Sequence, residues 1–203
     1  MAARTALIDY GAGNLHSVAN ALKAAGATTV EVTSKAAVVA AADRIVLPGV
    51  GAFGACAAAL RALPDMVETL TVRVMGQGVP FLGICVGMQL MAVRGLEFGT
   101  HQGLGWIEGE VTALDPADPA ARVPHMGWNA VEPVRPHTLI EPGEAYFLHS
   151  FAFAGADVLA TSDHGGPIAA AIGRANMLGV QFHPEKSQRY GLALLERFLK
   201  WRP

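Results

Sequence analysis

Three short segments hold residues that could do chemistry. In Val79-Pro80-Phe81-Leu82-Gly83-Ile84-Cys85-Val86-Gly87-Met88-Gln89, an apolar run enters Gly-x-Cys-x-Gly and leaves as a helical pattern. That is the layout of a nucleophile elbow built on cysteine, a sharp turn that lifts one side chain above a sheet. The flanking glycines make physical sense, because a Cβ there would crowd so tight a turn. A helix N-terminus beneath Cys85 favours a thiolate, and the amide of Val86 can donate to an oxyanion. A structural buried cysteine is the competing reading, since free cysteines are among the most buried residues.

A thiol nucleophile needs a base within hydrogen-bond reach and a group that orients the base. Val180-Gln181-Phe182-His183-Pro184-Glu185-Lys186-Ser187 offers both. His183 could be the base, and Glu185, two positions on, falls on the same side of an extended segment. His-x-Glu also opens the zinc deaminase motif. The Pro-Cys-x-x-Cys that completes that motif is missing, and both cysteines, Cys56 and Cys85, lie upstream. Metal is therefore disfavoured.

The third segment is Ile45-Val46-Leu47-Pro48-Gly49-Val50-Gly51-Ala52-Phe53-Gly54. Glycines after an apolar strand let backbone approach a ligand and aim amides at charge. A phosphate loop would need Gly-x-x-x-x-Gly-Lys-Ser/Thr, which is absent, and a plain strand-to-helix turn fits equally well. Asp9-Tyr10-Gly11-Ala12-Gly13-Asn14 holds a Gly-x-Gly without the third glycine of a dinucleotide fingerprint.

The elements that must position these segments follow from periodicity. Thr5 to Ile8, Thr28 to Val32, Arg44 to Leu47 and Pro80 to Ile84 read as short strands. Between them, Leu15 to Ala25, Ala36 to Ala42, Ala55 to Leu63 and Met66 to Met75 read as helices. This alternation predicts an α/β fold, a mostly parallel sheet with helices on both faces. Further on, strand-like runs at Trp106 to Leu114, Trp128 to Pro133, Glu144 to Leu148, Val158 to Thr161, Ile168 to Ile172 and Leu178 to Phe182 predict antiparallel hairpins joined to the same sheet. Ser187 to Lys200 predicts a closing amphipathic helix with Leu192, Leu195, Phe198 and Leu199 on one face. No repeat or long linker divides the chain, so one domain over 1–203 is expected.

Composition narrows the function classes. The 203 residues carry 15 Lys and Arg against 17 Asp and Glu, with 52% hydrophobic residues. Mean hydropathy is +0.34. Disorder needs the opposite balance, and a dedicated nucleic-acid binder needs a basic excess. Two cysteines cannot build a disulfide framework for this length. The apolar stretch after Met1 to Thr5 is too short for a signal segment. The longest apolar-looking run, Ala36 to Leu60, is broken by Asp43, Arg44 and Pro48, so no bilayer span is expected. A cytoplasmic chain with free thiols is the expectation. Cys56, in an alanine-rich helical stretch, is expected to tolerate alanine or serine.

In their order, Pro-Gly-Val-Gly, Gly-Ile-Cys-Val-Gly-Met-Gln and His-Pro-Glu, the chain resembles the class I, triad-type glutamine amidotransferases. Asp9-Tyr10-Gly11-Ala12-Gly13-Asn14-Leu15-His16-Ser17, Pro124-His125-Met126-Gly127-Trp128-Asn129 and Gln181 to Ser187 are similar to the glutaminase subunits of imidazole glycerol phosphate synthases within that family. The likeness runs from about Asp9 to the last helix.

The resemblance implies a flavodoxin-like single-domain fold and a set of roles. Cys85 would be the nucleophile, His183 the general base and acid, and Glu185 its orienter. The amides of Val86 and of the Val50-Gly51 pair would form an oxyanion hole. Gln89 would help hold glutamine, with Ser150 and Phe151 offering backbone contacts to its amino-acid end. Ammonia would pass to a (β/α)₈-barrel cyclase in a heterodimer, with Met126, Trp128 and Asn129 at the interface. No cofactor, metal, nucleic acid or membrane is implied. The family pattern has tyrosine where Phe151 and His164 stand. The alternatives are the glutaminase of pyridoxal phosphate synthesis, a stand-alone cysteine hydrolase, or a non-catalytic binding module on the same fold.

Overall fold

The computed structural model describes residues 3–203; Met1 and Ala2 of the opening stretch lie outside the described residues. The first half alternates as expected: β1 (Arg4–Ile8), α1 (Leu15–Ala24), β2 (Thr29–Thr33), α2 (Ala36–Ala40), β3 (Arg44–Gly49), α3 (Phe53–Ala62), α4 (Met66–Leu70), β4 (Phe81–Cys85) and α5 (Val86–Gln89). α4 runs straight into a π-helical turn, Thr71–Gly76. The second half contains β5 (Ala92–Gly95), β6 (His101–Gln102), β7 (Ile107–Ala113), β8 (His125–Pro133), β9 (Gly143–His149), β10 (Phe151–Gly155), β11 (Val158–Asp163), β12 (Pro167–Arg174), β13 (Met177–Val180) and α6 (Gln188–Lys200).

Nine strands form one sheet in the order β2-β1-β3-β4-β13-β12-β11-β8-β9. The pairings are parallel from β2 to β13 and antiparallel from β13 to β9. Every residue of β3 and β4 is buried, which is why both read as unbroken apolar runs. The step from β1 to β2 goes one way along the sheet and the step from β3 to β4 the other. Right-handed crossovers then put α1 on one face and α3 and α4 on the opposite one. In agreement, α1 packs on α6, whereas α4 packs on α2 and α3. One apolar cluster runs through the sheet from Ala6 to Trp201.

Three expectations need correction. The later strands do not all join the main sheet, because β10, β7, β5 and β6 form a separate four-stranded sheet. The helix after Cys85 stops at Gln89 instead of running on. Its continuation is captured by residues 103–107, whose amides take the carbonyls of Leu90, Met91, Ala92 and Val93. In α6, Leu194 is buried with Leu195 and Phe198, while Leu192 is exposed. Leu195, Phe198 and the partly buried Leu199 face the core as expected, and only Leu192 does not. At the far end of α6, the buried Arg44 donates to the carbonyls of Phe198 and Trp201, satisfying a helix C-terminus.

Candidate active site

The carboxyl ends of β3, β4 and β13 lie side by side, with Gly49 opposite Cys85 and Ile84 opposite Val180. In open α/β sheets this is where ligands bind. β4 ends on Cys85 in a strained backbone, φ 53° and ψ −112°, which a cysteine adopts only when its surroundings enforce it. The enforcement comes from packing. A Cβ on Gly87 would sit 1.9 Å from the Leu47 carbonyl oxygen, and one on Gly83 2.6 Å from the Gly87 carbonyl oxygen. α5 is therefore pressed against β3 and β4, and the side chain of Cys85 is pushed up at its N-terminus.

His183 follows β13 and is buried. Its backbone N–H donates to the Tyr146 carbonyl, and Ser187 Oγ donates to its carbonyl at 2.7 Å, tying this turn to β9. His183 Nδ1 lies 2.9 Å from Glu185 Oε1, and Cys85, whose thiol is turned to the Leu148 carbonyl at 4.0 Å, lines the same cavity as the imidazole. Burial opposes a charged ring. Interactions with nearby Cys85 and with Glu185 outweigh it and raise His183 to about 9. A ring that basic holds a proton at neutral pH.

A cavity of about 220 Å³ opens above these groups, lined by Val50, Gly51, Cys85, Val86, Gln89, Ser150, Phe151 and His183 among others. Every expected oxyanion and substrate position is thus brought to one place. Glu185 stands behind His183 and does not line it. Gln89 is less free than expected: its Nε2 donates both to the Phe151 carbonyl and to Gln181 Oε1, each at 3.0 Å. Only its amide oxygen is left to face a ligand. The Ser150 carbonyl is likewise taken by the Leu114 N–H. What Ser150 and Phe151 can offer is their amides and the Ser150 hydroxyl.

Several residues escaped the sequence reading. Gln181 is fully buried and donates from Nε2 to Cys85 Sγ at 3.6 Å, linking the thiol through Gln89 to the Phe151 carbonyl. Glu97 lines the cavity and accepts the Phe53 N–H at 2.7 Å, capping α3 from a distant loop. Cys56, expected to tolerate alanine or serine, is buried and its thiol donates to the Val50 carbonyl at 3.4 Å. Gln181 was visible as part of a motif, but nothing local signalled the other two.

The three residues grouped as an interface separate. Met126 and Trp128 are 64% and 48% exposed, on one face of β8. Asn129 turns to the other face, because successive strand residues alternate. Its Nδ2 donates to the Asp163 carbonyl and lies 3.1 Å from His125 Nε2, and its Oδ1 accepts the Ala130 N–H. Asn129 is engaged within its own chain. Trp128 meets Tyr146 edge-on, and Lys186 lies over that Tyr146 ring while also lining the cavity.

Beneath β8, His125 Nδ1 lies 3.0 Å from His149 Nε2, and His149 Nδ1 lies 2.9 Å from the Phe151 carbonyl. His164 stacks on His125 at 4.0 Å. Burial, then neighbouring histidine charge, lowers His125 to about 3; burial dominates in taking His149 to about 4. Both rings are neutral at pH 7. Among the described residues no cluster of His, Cys, Asp and Glu is arranged to hold a metal, and no helix is long and apolar enough to cross a membrane.

Residues 6–201 match the sequence profile of "Glutamine amidotransferase class-I". The chain belongs to that family. A protein of Zymomonas mobilis described as "Imidazole glycerol phosphate synthase subunit HisH" is 60% identical over 98% of this chain and 96% of its own. One of the same description from Caulobacter vibrioides is 53% identical, with 98% of each chain covered. A solved structure described as PurLQS from Thermotoga maritima superposes with a TM-score of 0.74 at 17% identity, covering 98% of this chain and 99% of its own. It shares the fold.

Proposed function

We propose that this chain, acting as one amidotransferase domain over residues 1–203, is the glutaminase subunit of an imidazole glycerol phosphate synthase. It would hydrolyse glutamine and hand the ammonia to a (β/α)₈-barrel cyclase in histidine biosynthesis, in the cytoplasm. The observation that carries the reading is the buried His183, paired with Glu185, lining one cavity together with Cys85. The relatives described as HisH subunits point to the synthase.

The chemistry follows from the geometry. Cys85 Sγ attacks the side-chain amide carbon of glutamine with its proton held on His183. The tetrahedral oxyanion forms beside the amides of Val86 and the Val50-Gly51 pair, which can donate to it. His183 returns the proton to the amide nitrogen, the C–N bond breaks and ammonia leaves. Water, losing a proton to His183, then attacks the thioester; glutamate leaves, and the Cys85 sulfur is freed with the proton again on His183. Glu185 accepts from the imidazole throughout and keeps its other nitrogen turned to the sulfur.

Met126 and Trp128 form the surface proposed to meet the cyclase. Coupling through the oxyanion strand would keep the isolated chain slow, since one misaimed donor costs about 2.7–4 kcal/mol. The test is glutamine turnover by the chain alone, with cyclase, and with cyclase plus its nucleotide substrate. Cys85→Ala should lower glutamine-dependent synthesis by at least roughly three orders of magnitude while synthesis from ammonium salt survives. Glutamine turnover by Cys85→Ala within tenfold of wild type would end the assignment. Full turnover by the isolated chain would end the coupling.

A further inference from the structure

The strand end that carries Val50 and Gly51 is held by two side chains that belong neither to the triad nor to the substrate contacts. Tyr10, buried in the turn after β1, donates from its hydroxyl to the Pro48 carbonyl at 2.7 Å. Cys56, buried in the first turn of α3, donates from its thiol to the Val50 carbonyl at 3.4 Å.

These contacts constrain more than two oxygens. In a planar trans peptide the C=O and N–H point in opposite directions. Anchoring the Pro48 carbonyl therefore sets the plane of the Pro48–Gly49 peptide. Anchoring the Val50 carbonyl sets that of Val50–Gly51 and with it the direction of the Gly51 N–H. The Gly49–Val50 peptide, which carries the Val50 N–H, is bracketed between them. Space is tight here too: a Cβ on Gly49 would lie 2.7 Å from the Tyr10 hydroxyl and 2.8 Å from the Gly87 nitrogen. Burial pushes both the Tyr10 hydroxyl and the Cys56 thiol above their usual titration ranges, so both keep the proton they donate.

We propose that Tyr10 and Cys56 are positioning residues of the oxyanion strand, a two-point anchor that fixes the peptides on either side of Gly49–Val50, so that in the activated complex the strand can present its amide to the charge developing above Cys85. The proposal rests on the glutaminase reading of the site. An oxyanion forms only as the thiol attacks, so the anchor acts on the transition state and not on bound glutamine. Loosening it lowers kcat and leaves KM unchanged. The thiol is the weaker donor of the two, so its loss has the smaller effect.

The experiment measures kcat and KM for glutamine in the complex with the cyclase subunit and its nucleotide substrate. Tyr10→Phe should lower kcat by roughly tenfold and Cys56→Ala by about threefold, short of the hundredfold or more seen when an oxyanion donor itself is lost. KM should stay within about twofold for both, and Cys56→Ser, which restores a donor, should recover most of the loss. Thermal midpoints and cyclase binding confirm that each variant folds; should Tyr10→Phe fail to fold, the Cys56→Ala and Cys56→Ser pair decides. Wild-type kcat in Tyr10→Phe or Cys56→Ala, a change carried by KM, or Cys56→Ser behaving as Cys56→Ala overturns the anchor. Cys85→Ala is assayed alongside. If it still hydrolyses glutamine, the site reading has failed; if it is silent while the anchor variants turn over normally, only the anchor has.

Discussion

The buried strands β3 and β4 and the hairpin β8–β9 solve different problems with the same backbone. β3 and β4 have neighbours on both faces, and every residue of both is buried. Space decides what can stand there, as the 1.9 Å approach of a Gly87 Cβ to the Leu47 carbonyl shows. The hairpin has one covered face and one open face. His125 and Val131 point inward, and Met126 and Trp128 point out. Chemistry sits where packing leaves no freedom, and recognition sits where a strand has a face to spare.

That contrast can be broken most forcefully at Gly87. Gly87→Ala should destabilise the fold by more than about 3 kcal/mol, because a backbone clash cannot be relieved by repacking a side chain. Urea unfolding reads it directly, and a loss below about 1 kcal/mol would mean that the elbow is not held by space.

On the hairpin the expectation reverses. Trp128→Ala should leave the unfolding free energy of the chain within about 0.5 kcal/mol, as for surface positions. It should weaken cyclase binding by about 2 kcal/mol, roughly thirtyfold, as an exposed aromatic anchor does. Calorimetric titration of the two subunits checks this; unchanged affinity makes β8 a passive surface.

The smallest effect sharpens the boundary between the regions, at the histidines beneath the hairpin. His125 and His149 have folded values of about 3 and about 4, below an unfolded value near 6.5. Between those values and pH 6.5 the unfolded chain binds more protons, so their stabilisation is complete above pH 6.5 and fades as pH falls. His183 has the opposite sign. With a folded value of about 9, its contribution is complete below pH 6.5 and is lost as pH rises towards 9. His149→Gln should make the acid-side slope of stability shallower by up to about 1.4 kcal/mol per pH unit. An unchanged slope between pH 6 and 4.5 would show that these rings do not govern acid stability.

Much of the active site was legible along the chain because its signals are local. The elbow needs only a strand, two glycines and a cysteine in a row, and the base and its orienter are two residues apart. The β1-to-β4 half was legible for the same reason, since parallel strands buried on both faces leave unbroken apolar runs. The second sheet was not. β5 and β6 are short, and they exist because residues 103–107 capture the carbonyls after Gln89, a pairing no local period announces. Asn129 shows the limit within a single motif: its neighbours Met126 and Trp128 mark a surface, but strand alternation sends it inward.

The amino-acid sequence by itself determined which residues could react and where the backbone had to turn, because residue chemistry and chain periodicity are properties of adjacent positions. Only the tertiary structure decided which donor meets which acceptor. Tyr10 reaches Pro48 across 38 positions, Glu97 caps Phe53 across 44, and Gln181 reaches Cys85 across 96. A buried polar group must find a partner wherever the fold places one, and that placement follows from the packing of whole elements, not from the residues beside it.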